Sequence, residues 1–208
     1  MKDLNFTGQK KGGSVSVVIH MDLMIVAHID DETFFGAHEL TYSQNLHLIC
    51  LNGKSEEGRA ELLTQAMSIF PNVKKIKAFA CEEIKGNKKP YLLYEECESV
   101  RNLIKDEVKN LDYKRVITHG PDGEYGHPEH QLTHRLVLEI FDHEKIYIFG
   151  DPNKIPQASK NNDPKVRRLR DEALNFYISS PSEKTNRWLC NIAKQHDYGP
   201  AVKLKECI

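Results

Sequence analysis

LMIVAHIDDETFFGAHELTYSQNLHLICL, residues 23–51, is the stretch whose reading decides the fold. It opens with an unbroken apolar run, 23–27, too short for a helix and suited to a strand buried on both faces. A polar turn, AHIDDE (27–32), follows. Residues 33–41 then read as a short helix, and 46–51 as a second apolar strand. Two such strands joined through a helix form the unit from which parallel sheets are built.

Working outward, the alternation continues. Residues 52–58 form a polar loop with Gly53 and Gly58. Leu62, Leu63, Ala66, Met67 and Phe70 fall at helical spacing over 59–70, and Pro71 ends that helix. Residues 73–79 are the next strand, and 82–90 a charged loop. Val100, Leu103, Ile104, Val108 and Leu111 mark one face of a long amphipathic helix over 92–110. A strand at 115–118, a glycine-containing loop at 120–126, a helix at 127–141 and a strand at 145–149 come next. A long polar loop covers 151–164, and helical stretches are expected at 166–178 and 185–195. Upstream, residues 1–13 read as a polar lead-in and 14–20 as an extra edge strand. The pattern predicts an α/β fold with a mostly parallel sheet in a single domain, 1–208. Ligands of such sheets bind beyond the carboxyl ends of the strands.

Composition narrows the function classes. The chain has 208 residues, 39% hydrophobic and 28% charged, which is ordinary for a globular protein able to bury its own core. A net charge of −1 offers no electrostatic footprint for nucleic acid or an anionic membrane surface. No run reaches the roughly 18–20 apolar residues of a membrane helix, and no secretory leader is evident, so a cytoplasmic location is expected. The five cysteines are scattered without a C-x-x-C pair, which disfavours a disulfide framework or a thiolate zinc site. No self-complementary patch is evident, and a homo-oligomer stays open.

Two clusters fall at predicted strand ends. In AHIDDE, His28 offers a nitrogen and Asp30, Asp31 and Glu32 offer carboxylates; one carboxylate can bind a metal while its neighbour handles a proton. The alternative is a solvated acidic turn, with Asp30 or Asp31 capping the helix that starts near Thr33. In GEYGHPEH, residues 123–130, Pro128 fits the first helical position, which makes His127 the N-cap and brings His130 close to it. The helix dipole there favours neutral rings. The alternative is two surface histidines at a helix start. His134 is read as supporting these residues or as an ordinary helix residue. Glu124 and Tyr125 either face the site or only shape the turn. Together the clusters supply two His and one Asp with an open fourth position, the composition of a catalytic zinc site.

AHIDDE resembles the A-H-P-D-D-E signature of the PIG-L/LmbE-like zinc-dependent N-deacetylases. THGPDGEYGHPEH, residues 118–130, resembles that family's second motif, which ends in H-P-x-H. The order and separation of the two motifs also match. The resemblance covers residues 21 to about 180, and it implies a Rossmann-like three-layer fold. It implies that His28, Asp31 and His130 bind Zn2+, that Asp30 is the general base, and that His127 stabilises the oxyanion or protonates the leaving group. Arg59, in GRAEL (58–62), would contact substrate. Other divalent transition metals suit the same ligands. The implied reaction removes an N-acyl group, N-acetyl above all, from a small-molecule amino sugar or sugar conjugate. A non-sugar amide as substrate, or a catalytically silent binding protein, are the alternatives. Two departures stand out: Ile29 replaces the usual proline, and Ala37 stands where glycine is common.

Overall fold

The computed structural model describes residues 21–52, 58–79, 94–178 and 198–206, with only the backbone for 94–97, 178 and 206. The expected edge strand at 14–20, the loop at 82–90 and the helical stretch at 185–195 lie outside the described residues. The elements in chain order are β1 (Met21–His28), α1 (Asp31–Tyr42), β2 (Leu46–Asn52), α2 (Arg59–Met67) and β3 (Val73–Ala78). Then come α3 (Tyr94–Val108), β4 (Tyr113–Thr118), a short helical turn α4 (Gly123–Gly126) and α5 (Pro128–Ile140). Last are β5 (Ile146–Ile148), α6 (Pro164–Ile178) and β6 (Val202–Lys203).

The strands form one sheet in the order β3-β2-β1-β4-β5-β6. All neighbours run parallel except β5 and β6. The fold is thus α/β, Rossmann-like, with helices on both faces. Strand alternation divides the core. Met24, Val26, Leu48 and Cys50 point to the face packed with Leu40 of α1, Leu63 of α2 and Leu174 of α6. Leu23, Ile25, Ile49 and Val116 point to the other, against Ile104 of α3 and Val137 of α5. Two layers of apolar burial on one sheet are why β1 and β2 read as nearly continuous hydrophobic runs.

Helix α1 comes unusually close to β1. A Cβ added to Gly36 would meet the Met24 Cε at 2.6 Å, so a larger residue there needs the Met24 side chain to move aside. The neighbouring Ala37 is buried. Helix α1 also begins at Asp31, before the expected Thr33. The short β6 was not expected, because two residues carry no periodicity.

The topology fixes where a ligand belongs. From β1 the chain winds outward through β2 to β3, then crosses to β4 on the other side of β1. The order reverses between β1 and β4, and in such sheets ligands bind at that point, beyond the strands' carboxyl ends. Residues 28–32 leave β1 at this point, and residues 119–130 leave β4.

Candidate metal centre and active site

The turn after β1 is tightly bound on all sides. Ile29, where proline was the family's expectation, is fully buried in the core, and its carbonyl accepts a bond of 2.6 Å from Arg59. Burial thus does the stiffening that a proline ring would do. Asp30 adopts φ 108°, a left-handed conformation costing about 1–3 kcal/mol in a non-glycine residue. The Glu32 carboxylate holds it there by accepting from the Asp30 amide at 3.0 Å. Glu32 is itself fully buried and accepts from the Tyr177 hydroxyl at 2.6 Å and from Thr33 at 2.8 Å. Asp30 occupies the N-cap position, but its side chain makes no capping bond. Its carboxylate instead meets Arg59 at 3.1 Å. Burial, followed by the neighbouring Asp31 charge, pushes the Asp30 carboxyl up to about 8 despite that arginine.

On the β4 side, His127 is the N-cap of α5 as expected, with Pro128 in the first turn. Its Nδ1 accepts the Glu129 amide at 3.3 Å. That leaves the ring proton on Nε2, which becomes a donor. Burial, then the His130 and His28 charges, lower His127 to about 4, so the ring is neutral.

The two clusters meet. His28 Nδ1 lies 3.2 Å from Asp31 Oδ2, and His130 Nε2 lies 3.3 Å from each of those atoms. Zinc ligands at about 2.0–2.2 Å in a tetrahedron lie about 3.3–3.5 Å from one another, so the triangle has the edges of one tetrahedral face. Each ring's other nitrogen is engaged: His28 Nε2 with Glu129, and His130 Nδ1 with Glu124 at 2.6 Å. With both outer nitrogens donating to carboxylates, the inner lone pairs converge on one another beside an anion. Such a triangle calls for a cation at its centre, and the residues fit a metal.

Without a metal, protons take that place. Burial opposes charge on His28, but Asp31 and Glu129 raise it to about 10. His130 is raised to about 9 against burial by Asp31 and Glu124. Asp31 is held well below the usual carboxylate range, because His130 and His28 outweigh its burial. The helix-dipole expectation of neutral rings therefore holds for His127 and fails for His130, where nearby carboxylates dominate.

His119 and His127 also lie within ligating distance of parts of this cluster. In both rings one nitrogen is already engaged by a backbone amide. His119 Nε2 already accepts the Ala27 amide at 3.0 Å, and His127 Nδ1 accepts Glu129 N–H.

Arg59 donates to the Asp30 carboxylate and to the Ile29 carbonyl. Several partners went unnoticed in the sequence: His119, Glu129, Tyr177 and Asn52. Asn52 lies beside His28 in the register of β1 and β2, and both ends of its buried amide are without a hydrogen-bond partner among the described residues. Tyr125 is 40% exposed, with its ring centre 5.7 Å from that of His127. His134 donates to the His119 carbonyl at 2.8 Å, so it supports the site from behind. The polar loops after the strands, 52–58, 80–90 and 151–164, are the expected pocket walls; of these, residues 53–57 and 80–90 lie outside the described residues.

Comparison with known proteins points the same way. Residues 23–141 match the model of the PIG-L family, described as GlcNAc-PI de-N-acetylase. An uncharacterised protein of Acanthamoeba polyphaga mimivirus is 27% identical over 144 residues, covering 64% of this chain and 63% of that protein, less than two thirds of its length. An N,N'-diacetylchitobiose deacetylase from Pyrococcus horikoshii shares the fold with a TM-score of 0.58 and 14% identity, over 87% of this chain and 82% of its own. A deacetylase of teicoplanin biosynthesis, solved in complex with teicoplanin, does so with a TM-score of 0.58 and 15% identity, over 88% and 95%. Among the described residues, no helix is long and apolar enough to cross a membrane.

Proposed function

The chain belongs to the PIG-L family, and from that premise we propose that it is a metal-dependent hydrolase that removes an N-acetyl group from an amino sugar or sugar conjugate. The observation that carries this reading is the triangle of His28 Nδ1, Asp31 Oδ2 and His130 Nε2, whose edges of 3.2–3.3 Å suit a zinc ion. Zinc held there supplies Lewis-acid activation of water and of the amide carbonyl.

The chain's own residues do the rest. Asp30 is the general base: it takes a proton from the attacking water and returns it to the leaving amine, so that amide and water become carboxylic acid and amine. Its raised affinity for a proton suits a group that must both accept and release one near neutral pH. Arg59, bound to both the Ile29 carbonyl and the Asp30 carboxylate, aims the base. His127, neutral with its proton on Nε2, donates to the oxyanion that forms as the carbonyl is attacked. In this reading Arg59 acts on the base as well as on any substrate it reaches.

Three features support a hydroxyl-rich substrate. Asn52, beside His28, offers a buried donor and acceptor without a partner among the described residues. Tyr125 exposes an aromatic ring of the kind that packs against a sugar face. The similar fold of the Pyrococcus horikoshii protein, whose name states a diacetylchitobiose substrate, adds to this. The near-neutral chain suits a small molecule rather than nucleic acid.

The test is acetate release by zinc-loaded protein from N-acetylglucosamine, N,N'-diacetylchitobiose, N-acetylglucosaminyl conjugates and N-acetylated amino acids. Zinc-dependent release from the sugar compounds is expected, lost in Asp30→Asn. Release only from the amino acids would transfer the reading to a non-sugar amidase. Saturable binding without release from any of them would make the chain a binding protein.

A further inference from the structure

We infer that Glu124 is a positioning residue that locks the ring tautomers of His119 and His130, and so aims the His130 Nε2 lone pair into the metal triangle. The inference rests on reading His28, Asp31 and His130 as the metal-holding set.

Glu124 is buried, and its backbone sits at φ 56°, a conformation an L-residue adopts at a cost. Lys154 donates to its carbonyl, and Gly123 precedes it at φ 60°. Gly123 must also be small, since an added Cβ would meet the Gln131 Cγ at 2.9 Å. The strain has a visible product. It turns the Glu124 side chain inward, where its carboxylate receives three donors. Oε1 accepts the Gly120 amide at 2.8 Å, and Oε2 accepts His119 Nδ1 at 2.7 Å and His130 Nδ1 at 2.6 Å.

The direction of these bonds follows from the far side of each ring. His119 Nε2 accepts the Ala27 amide at 3.0 Å, so a neutral His119 carries its proton on Nδ1 and must donate to Glu124. The His119 and His130 rings stack at 3.9 Å between centres and 20° between planes. Both therefore present Nδ1 to the same oxygen. With a metal in place of the extra proton, His130 donates from Nδ1 and keeps its lone pair on Nε2, the atom that faces Asp31 and His28. The β1 backbone is thereby tied through His119 and Glu124 to His130. Carboxylates behind metal-binding imidazoles commonly fix tautomer and ring orientation in this way.

Only an acceptor at both oxygens serves here. Glutamine has the same shape but carries two N–H donors at one end. Turned one way, its NH2 opposes the Gly120 amide; turned the other, it opposes both histidine N–H groups. Glu124→Gln therefore preserves packing while breaking the lock.

The experiment has two arms. In the wild-type protein, long-range proton–nitrogen NMR spectra of the histidine rings at pH 7.5–8.0 with zinc bound should show both His119 and His130 protonated on Nδ1 and not on Nε2. Either ring protonated on Nε2 would overturn the inference without any variant being needed. In Glu124→Gln, zinc affinity by competition with a chelator should fall about 10–100-fold, with the melting temperature of the zinc-free protein followed as a check on folding. Unchanged zinc affinity in a folded Glu124→Gln protein would also overturn it. Wild-type protein that binds no zinc would instead overturn the underlying metal reading, while the tautomer of His119 in the same spectra still tests Glu124 itself.

Discussion

Strand β1 carries buried charge at both ends, and the ends differ in kind. At its start, Asp22 meets Arg115 at 2.6 Å, and the same guanidinium meets Glu39 at 3.1 Å and Ser43 at 3.1 Å. Glu39 also accepts the Ala201 amide at 2.9 Å. Opposite charges answer one another, and none of Asp22, Glu39, Ser43 and Arg115 has a positive φ. At its end, three consecutive acidic residues, Asp30 to Glu32, are buried together. Asp30 has a positive φ, its carboxyl is pushed up to about 8, and two imidazole nitrogens crowd one aspartate oxygen. The first arrangement is complete within the protein and serves stability. In the proposed reading the second is completed by a cation, a water and a substrate, and serves chemistry. Position relative to the sheet sorts the two: at the order reversal of such sheets, ligands bind beyond the carboxyl ends.

The contrast breaks or sharpens under substitution. Its largest effect is expected at Asp30. Asp30→Asn should lower kcat about 10²–10⁴-fold with zinc content unchanged, measured by acetate release and metal analysis of the same preparation. The variant should be no less stable than wild type, since it removes a buried carboxylate whose charge is opposed; a melting temperature well below wild type would mean that Asp30 is structural after all. His127→Ala should follow, with kcat about 10²–10³-fold lower and zinc retained, because one oxyanion donor is lost.

At the opposite end the readouts exchange. Arg115→Met should destabilise the fold by about 2–3 kcal/mol in denaturant unfolding and leave zinc affinity unchanged. That is below the ~3–5 kcal/mol of a fully buried pair, because the guanidinium is a quarter exposed. A loss of zinc in this variant would erase the distinction between the two ends.

The smallest effect is a pH dependence. Burial would raise the Glu39 carboxyl, but the bonds from His38 and the Ala201 amide and the Arg115 charge outweigh it and hold it below 4.5. A group lowered by folding contributes stability above its unfolded value and loses it as pH falls through its folded value. Wild-type stability should therefore decline below about pH 4.5, and Glu39→Gln should decline less steeply over that range. Parallel curves for the two proteins would show that Glu39 is not part of the matched end.

Much of the active end was legible in the sequence, and for identifiable reasons. Apolar runs fixed β1 and β2, because each is buried on both faces. The H-P pair at 127–128 marked the start of α5 through proline's place at the first helical position. The partners behind the ligands were not legible. Glu129 meets His28 across 101 positions of sequence, and Tyr177 meets Glu32 across 145. No local periodicity records such pairs. The role of Glu124 was hidden for another reason: a backbone at φ 56° reverses where its side chain points, and a glutamate between glycines gives no sign of that. One signal was available for His119 and Glu129, which stand within the same short motif as His127 and His130.

The most direct test of the two-ended account is the zinc stoichiometry of wild type, Asp31→Asn and Arg115→Met, each incubated with zinc and freed of excess. The account predicts close to one zinc per chain in wild type and Arg115→Met, and little in Asp31→Asn. Wild-type protein that retains no zinc, or an Asp31→Asn protein that retains it fully, would contradict the claim that the charge at the end of β1 is assembled around a metal.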